Sequence, residues 1–236
     1  MTTSSATNMR AAVMRRQQIV VDQMAMPVPG SGQVLVKTLA CGICGSDLHM
    51  LKHGPRLSAE AAPGDRIMSN MDFERDVVMG HEFCAEVLEF GPDCQTAVKP
   101  GQKVCSLPAM LGPGWRRPVG YSNDFNGGYG EYMLLHEQLL LPVHENVTAD
   151  LAALTEPLAV GLHAVEKAQI EAGAVPLVVG CGPVGLAVIV ALKSKGLGPI
   201  LAADYSPARR ALALAMGADE VIDPAVNSPH ESWRRA

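Results

Sequence analysis

The feature that most constrains the fold of this sequence is a glycine-rich turn between two apolar segments. The turn reads Gly180-Cys181-Gly182-Pro183-Val184-Gly185. The apolar run 175–179 before it predicts a buried β-strand, and the run 184–195 after it predicts a helix. Glycine adopts backbone conformations and permits close approaches that other residues resist. A tight strand-turn-helix unit is therefore expected around residue 180.

Strands and helices alternate on both sides of this turn. The sequence predicts strands at 175–179, 200–204 and 220–223 and helices at 184–195 and 207–216. For the second of these helices, Ser206 is a suitable N-cap and Gly217 a typical C-terminal stop. Alternation of this kind predicts an α/β domain with a parallel, doubly wound sheet and right-handed crossovers.

The glycine turn and the following strand together match a dinucleotide-binding fingerprint. Asp204 ends that strand, 19 residues after Gly185. Gly180 would allow the tight turn, Gly182 would let the backbone approach a pyrophosphate, and Gly185 would let the helix pack on the sheet. The pyrophosphate would then lie at the positive end of the helix that starts with Pro183-Val184.

The type of cofactor is indicated by the charge at the end of that strand. Asp204 would accept hydrogen bonds from the adenosine ribose and repel a 2′-phosphate, which favours NAD over NADP. Arg209 and Arg210 are nearby basic residues whose charge could compensate for this repulsion, and Arg209 is a predicted cofactor-binding residue. A structural glycine turn in a domain that binds no nucleotide is the alternative interpretation.

The first half of the chain has a different pattern, with short β-type runs separated by proline and glycine, as in a partly open β-barrel. We therefore predict two domains, at 1–150 and 151–236.

The composition, 48% hydrophobic and 18% charged, excludes an intrinsically disordered chain. The net charge of −5 disfavours nucleic acid as a partner. The stretch 172–192 is uncharged, but its glycines and prolines argue against a membrane span. A secretory signal pattern is not seen, so a cytoplasmic location is expected.

Potential metal ligands and acid–base groups are concentrated in two short motifs of the first half. Cys44, Ser46 and His49 form one motif, and His81 and Glu82 form the other. Thiolate, imidazole and carboxylate are typical zinc ligands. Cys44 and His81 are the first two predicted ligands, and Glu82 is an alternative carboxylate ligand. Hydrogen bonding to a neighbouring carboxylate, that of Asp47, would fix the tautomer of the histidine.

With a third motif, Glu156-Pro157-Leu158-Ala159-Val160-Gly161, the chain resembles the medium-chain zinc-dependent alcohol and polyol dehydrogenases, in the branch of sorbitol and threonine dehydrogenases. The resemblance implies a GroES-like β-rich catalytic domain followed by a Rossmann domain, with Glu156 as the third protein group at one catalytic zinc. It also implies that Ser46 and His49 relay the alcohol proton to solvent.

Three departures from the family pattern are visible. The stretch after Gly101 has only Cys105 where many members have four cysteines, so a structural zinc is not expected. The long connection between His49 and His81 is interpreted as an insertion at the substrate mouth. The sequence stops after the third Rossmann strand, which implies half of that domain and a C-terminal truncation. By resemblance, the full-length form would be a homo-oligomer.

The expected function is hydride transfer between NAD and a secondary alcohol or polyol, or the corresponding aldehyde or ketone. One alternative is a truncated chain that binds nucleotide or metal without catalysis. Another is a zinc-free, NADP-dependent quinone or enoyl reductase. Residues Cys44, His81 and Glu156 argue against this last alternative, as does Asp204. The sequence identifies no particular substrate.

Overall fold

The computed structural model describes residues 8–62, 64–65, 67–171 and 173–235. The chain forms two compact units that divide between Thr155 and Glu156. The sequence placed this division at residue 150. The structure places it later because a short helix, Ala149–Ala153, packs on strands of the first unit through Ala152 and Ala153.

The first unit is rich in β-structure. Its strands are β1 (Asn8–Arg15), β2 (Gln18–Ala25), β3 (Gln33–Cys41), β4 (Phe83–Phe90), β5 (Lys103–Ser106), β6 (Ala109–Gly112), β7 (Trp115–Pro118), β8 (Tyr132–His136) and β9 (Leu140–Pro142). Five strands form an antiparallel sheet in the order β8-β3-β4-β5-β9, and β1-β2 and β6-β7 form two hairpins. This agrees with the β-rich first half predicted from the sequence.

Alternating apolar side chains account for the strands of the first unit. In β1, Met9, Ala11 and Val13 are buried while Asn8 and Arg10 are exposed, as the two faces of a strand require. The main core lies on the five-stranded sheet. It consists of Val34, Val36, Phe83, Ala85, Val87, Val98, Val104, Val119, Met133 and Leu135.

The helices of the first unit are α1 (Gly45–Glu60) and α2 (Ala149–Ala153), with 3-10 turns at Met68–Asn70 and Glu137–Leu139. Helix α1 was not predicted, and it extends into the segment interpreted as an insertion. Pro55 lies inside α1, and Gly54 is buried where a Cβ would overlap the ring of Phe73. Thr148 caps α2 by accepting a hydrogen bond from the Leu151 amide at 3.4 Å.

The second unit has the predicted α/β alternation. Its elements are α3 (Thr155–Ala168), β10 (Leu177–Val179), α4 (Pro183–Ser194), β11 (Leu201–Ala203), α5 (Pro207–Met216), β12 (Glu220–Ile222) and α6 (Pro229–Arg235). The three strands form a parallel sheet in sequence order. Helix α5 has the predicted bounds, with Ser206 as N-cap and Gly217 in the left-handed conformation at φ +115°.

The uncharged stretch 172–192 forms β10, the glycine turn and most of α4, and Ala172 lies outside the described residues. Among the helices described, none has the length and apolar character needed to cross a bilayer.

Candidate metal centre and nucleotide-binding loop

Three of the predicted groups, Cys44, His81 and Glu82, come together in the first unit. One ligand atom from each lies within 4.8 Å of the others. Adjacent antiparallel strands cause this proximity, since Cys41 at the end of β3 pairs with the first residue of β4. The Gly42 amide extends the pairing by donating to the Glu82 carbonyl at 2.7 Å. Thiolate, imidazole and carboxylate match the donor types that zinc takes, so the cluster fits a zinc ion.

Asp47 is the buried anchor of this cluster. Its Oδ1 lies 3.4 Å from Nδ1 of His81 and accepts from the Tyr121 hydroxyl at 2.8 Å. Its Oδ2 accepts from the Tyr129 hydroxyl at 2.7 Å and from the Cys44 amide at 3.1 Å. Burial opposes ionisation of Asp47, but its interactions with His81, Tyr129 and Tyr121 outweigh this effect and hold its pKa below the usual value. Nδ1 of the imidazole faces Asp47, an arrangement in which the other ring nitrogen, Nε2, would serve as the metal ligand.

The sequence reasoning missed Tyr121 and Tyr129. Both lie in the glycine-rich segment 120–130, and the pairing of two tyrosines with Asp47 is a long-range contact. Gly80, which precedes His81, has φ +97°, and a Cβ there would lie 2.7 Å from Cδ1 of Tyr129. Glycine at this position therefore lets the metal-site loop and the tyrosine loop pack together. The only feature of the sequence that could have indicated these two residues is that tyrosines occur within a glycine-rich segment.

Ser46 and His49, the predicted proton relay, lie on α1. The Tyr121 hydroxyl has one hydrogen, which the Asp47 carboxylate must accept, so the Ser46 hydroxyl donates to the Tyr121 oxygen at 2.8 Å. His49 is exposed, and its ring centroid lies 4.8 Å from that of His53. The structure therefore connects Ser46 to the tyrosine and gives His49 access to solvent.

The two predicted carboxylates occupy different units. Glu82 lies beside Cys44 and His81, as the alternative ligand assignment required. Glu156 is the first residue of the second unit and lies in the first turn of α3. Its place in the ligand set remains a prediction.

In the second unit, each glycine of the turn has a distinct environment. Gly180 has φ +97°, the left-handed conformation expected of a tight turn. A Cβ at Gly185 would overlap the carbonyl oxygen of Gly180, which explains why the helix start can lie so close to the strand end. At Gly182 an added Cβ would meet no atom within 4 Å, and Pro183 then begins α4. Val184, in its first turn, is 45% exposed.

Asp204 fastens this turn to the end of β11. Its Oδ1 accepts from the Ser206 amide at 2.8 Å and its Oδ2 from the Cys181 amide at 2.9 Å. These two bonds hold the pKa of Asp204 below its usual value. Arg209 is half-exposed, with a guanidinium nitrogen 3.8 Å from Oδ2 of Asp204. The guanidinium of Arg210 donates a hydrogen bond to the Asp204 backbone carbonyl at 2.7 Å. The carboxylate therefore shapes the loop as well as presenting negative charge beside it.

Known proteins similar to this chain include alcohol and polyol dehydrogenases. Residues 30–145 match the alcohol dehydrogenase GroES-like domain. The chain is 35% identical over 225 residues to (R,R)-butanediol dehydrogenase of Bacillus subtilis and 29% identical over 236 residues to sorbitol dehydrogenase of the same organism. These alignments cover 92% and 94% of the chain and 63% of each relative.

The fold is similar to that of solved medium-chain dehydrogenases. The crystal structure of 2R,3R-butanediol dehydrogenase from B. subtilis superposes with a TM-score of 0.79 at 33% identity, covering 93% of this chain and 64% of that one. Residues 30–145 belong to the alcohol dehydrogenase GroES-like domain family, and the chain is similar to medium-chain, zinc-dependent alcohol and polyol dehydrogenases along most of its length. The predicted order, a GroES-like domain followed by a Rossmann-type α/β domain, is thereby confirmed.

Proposed function

We propose that the protein is an oxidoreductase that transfers hydride between NAD and a secondary alcohol or polyol, or the corresponding carbonyl compound. The relatives are named for butanediol and sorbitol, both small hydroxyl compounds. The observation that carries the proposal is the convergence of Cys44, His81 and Glu82 within 4.8 Å. Such a donor set speaks against the zinc-free reductase alternative.

Cys44 and His81 would hold one zinc ion, with the carboxylate of Glu82 or Glu156 beside them. When bound, zinc acts as a Lewis acid that stabilises an alkoxide near neutral pH. Because Oδ1 of Asp47 lies 3.4 Å from Nδ1 of His81, Asp47 would favour the tautomer with the proton on Nδ1, which suits Nε2 for binding a metal. The protein residues therefore supply a preorganised metal site on two adjacent strand ends.

Ser46 and His49 are the proposed route for the substrate proton. The Ser46 oxygen would accept the hydrogen bond of the substrate hydroxyl, and on taking that proton Ser46 would release its own hydroxyl hydrogen towards His49. His49 would pass the proton to solvent, since it is exposed and an imidazole can accept a proton at one nitrogen and release one from the other.

For the cofactor, the turn from Gly180 to Gly185 and the N-terminus of α4 would receive the pyrophosphate. The Asp204 carboxylate would accept from the adenosine ribose with its remaining lone pairs and repel a 2′-phosphate. Arg209 could contribute to ribose binding from the neighbouring helix. NAD is accordingly the proposed cofactor.

A hydride-transfer assay with small diols and polyols tests this function, with the formation of reduced nicotinamide as its readout. We expect NAD-linked turnover that a chelator abolishes and added zinc restores. The Cys44→Ser variant should lose this turnover, whereas Cys94→Ser, at a partly buried cysteine outside the cluster, should keep it. Turnover that survives chelation, or that requires NADP and a quinone, would contradict the proposal.

A further inference from the structure

A cavity of about 320 Å³ opens beside the candidate metal ligand His81. Its volume lies at the lower end of the range for small-molecule sites, roughly 300–1,000 Å³. The ring of Tyr121, whose centroid lies 5.1 Å from that of His81, forms part of the wall. The other lining residues are Ile67, Pro108, Ala109, Arg116, Pro118 and Val119.

The hairpin β6-β7 and the residues directly before and after it supply most of this wall, and Ile67 supplies a part from the segment predicted to be an insertion. The lining of the cavity is mostly apolar, and Pro108, Ala109 and Val119 contribute to this apolar surface. Arg116 is the one lining residue with a permanent charge, and no acidic residue lines the cavity among the residues described. Arg116 is exposed to solvent, and its planar guanidinium can bind a carboxylate or a phosphate through two parallel hydrogen bonds.

Arg116 and the next residue of the strand, Arg117, differ in their ion pairs. Arg117 donates to the Asp124 carboxylate at 2.5 Å and stacks over the Trp115 ring at 5.2 Å. Successive side chains of a strand point to opposite faces, so Arg116 faces away from these partners. Within the described part of the chain, no carboxylate lies within 4.0 Å of the Arg116 guanidinium. This charge therefore remains available to a ligand.

We propose that Arg116 selects substrates that carry an anionic group, a carboxylate or a phosphate, in addition to the reacting hydroxyl. The hydroxyl end would lie towards His81 and the anionic end at Arg116, with the apolar wall between them. This inference rests on the proposed function, because it assumes that the reacting hydroxyl binds near His81. It adds a substrate class, hydroxy acids or polyol phosphates, that the metal ligands alone do not define.

Calorimetric titration of the zinc-loaded chain tests the inference without requiring turnover. The first pair of probes is beta-hydroxybutyrate and its neutral analogue with a hydroxymethyl group in place of the carboxylate. The second pair is glycerol phosphate and glycerol. We expect at least one anionic probe to bind about tenfold more tightly than its neutral partner, the effect of one charge-assisted hydrogen bond. The preferred pair distinguishes a carboxylate from a phosphate substrate.

Arg116→Gln should remove this preference, and Arg116→Lys should retain part of it because the charge remains. Lys99→Gln is the matched control, since it removes one exposed positive charge outside the cavity and should leave the preference intact. Inorganic phosphate should bind more weakly than glycerol phosphate if the phosphate arm is the preferred one.

Two results would overturn the inference alone: equal binding of charged and neutral probes, or a preference that persists in Arg116→Gln. Failure of the chain to bind zinc would instead contradict the proposed function. A zinc-loaded chain that binds none of the four probes would count against both.

Discussion

The two candidate sites of this molecule are built in opposite ways. The metal centre of the first unit consists of side chains from distant parts of the sequence, with Asp47 joined to Tyr121 and Tyr129. The nucleotide loop of the second unit is mostly backbone from one contiguous segment, shaped by Gly180 and Gly185. A site built from side chains, such as the metal centre, tolerates small shifts of the backbone, but its geometry depends on each of its hydrogen bonds. A backbone site depends on the space that its glycines leave open.

This difference explains why the two sites require different tests. At Gly185 of the loop, adding a single methyl group should be enough to damage the fold, because the obstacle is the main-chain carbonyl of Gly180. At the metal centre, an isosteric exchange of one polar group should leave the fold in place and alter affinity. The following predictions compare these two responses, beginning with the largest expected effect.

Gly185→Ala should destabilise the second unit by about 3 kcal/mol, because the new Cβ would overlap the Gly180 carbonyl oxygen. Gly182→Ala should cost less than about 1 kcal/mol, since its Cβ would enter open space at the helix N-cap. Denaturant unfolding of both variants measures the difference. Calorimetry should also show weaker NAD binding for Gly182→Ala, whose methyl group lies where the pyrophosphate must approach. Equal stability of the two variants would contradict the backbone explanation.

Asp47→Asn should weaken zinc binding by roughly 10- to 100-fold, the usual effect of losing the partner of a ligating histidine. The amide retains the size of the carboxylate and can still accept one tyrosine hydroxyl, so the chain should remain folded. Competition with a chromophoric chelator gives the affinity, and circular dichroism checks the fold. The exposed Asp93→Asn is the control for charge alone. Unchanged zinc affinity in Asp47→Asn would show that His81 is oriented by other contacts.

Arg209→Gln should change NAD affinity less than about fivefold, because its guanidinium is half-exposed and 3.8 Å from Asp204. Any affinity for NADP should fall by more than that for NAD, since a 2′-phosphate has more to gain from the positive charge. Titration with both cofactors tests this prediction. A larger loss for NAD than for NADP would make Arg209 a direct ribose contact.

The same difference between the sites determined what could be predicted from the sequence. Local signals located α5 with its exact bounds, the three parallel strands and the turn at Gly180, because capping residues and apolar runs act over short distances. Helix α1 was missed because Gly54 and Pro55 normally disfavour a helix. Its packing against Phe73 outweighs that local preference.

The metal centre was predicted only as far as its ligand types allowed. Cys44, His81 and Glu82 were recognisable as potential ligands from their motifs, and Asp47 as a partner of the histidine. The two tyrosines that hold Asp47 were not recognisable, because their pairing depends on how the segment 120–130 folds back onto α1. The single sequence also could not show that Arg116 faces the cavity while Arg117 binds Asp124.

The metal content of the purified chain is the most direct test of the central claim, that Cys44 and His81 bind a catalytic zinc. Elemental analysis after zinc loading and removal of free metal should find one zinc ion per chain. Cys44→Ser should lose it, and Cys94→Ser should retain it. Comparison of Glu82→Gln with Glu156→Gln should show which carboxylate contributes. A zinc content that is unchanged in Cys44→Ser, or absent from the loaded chain, would contradict the account.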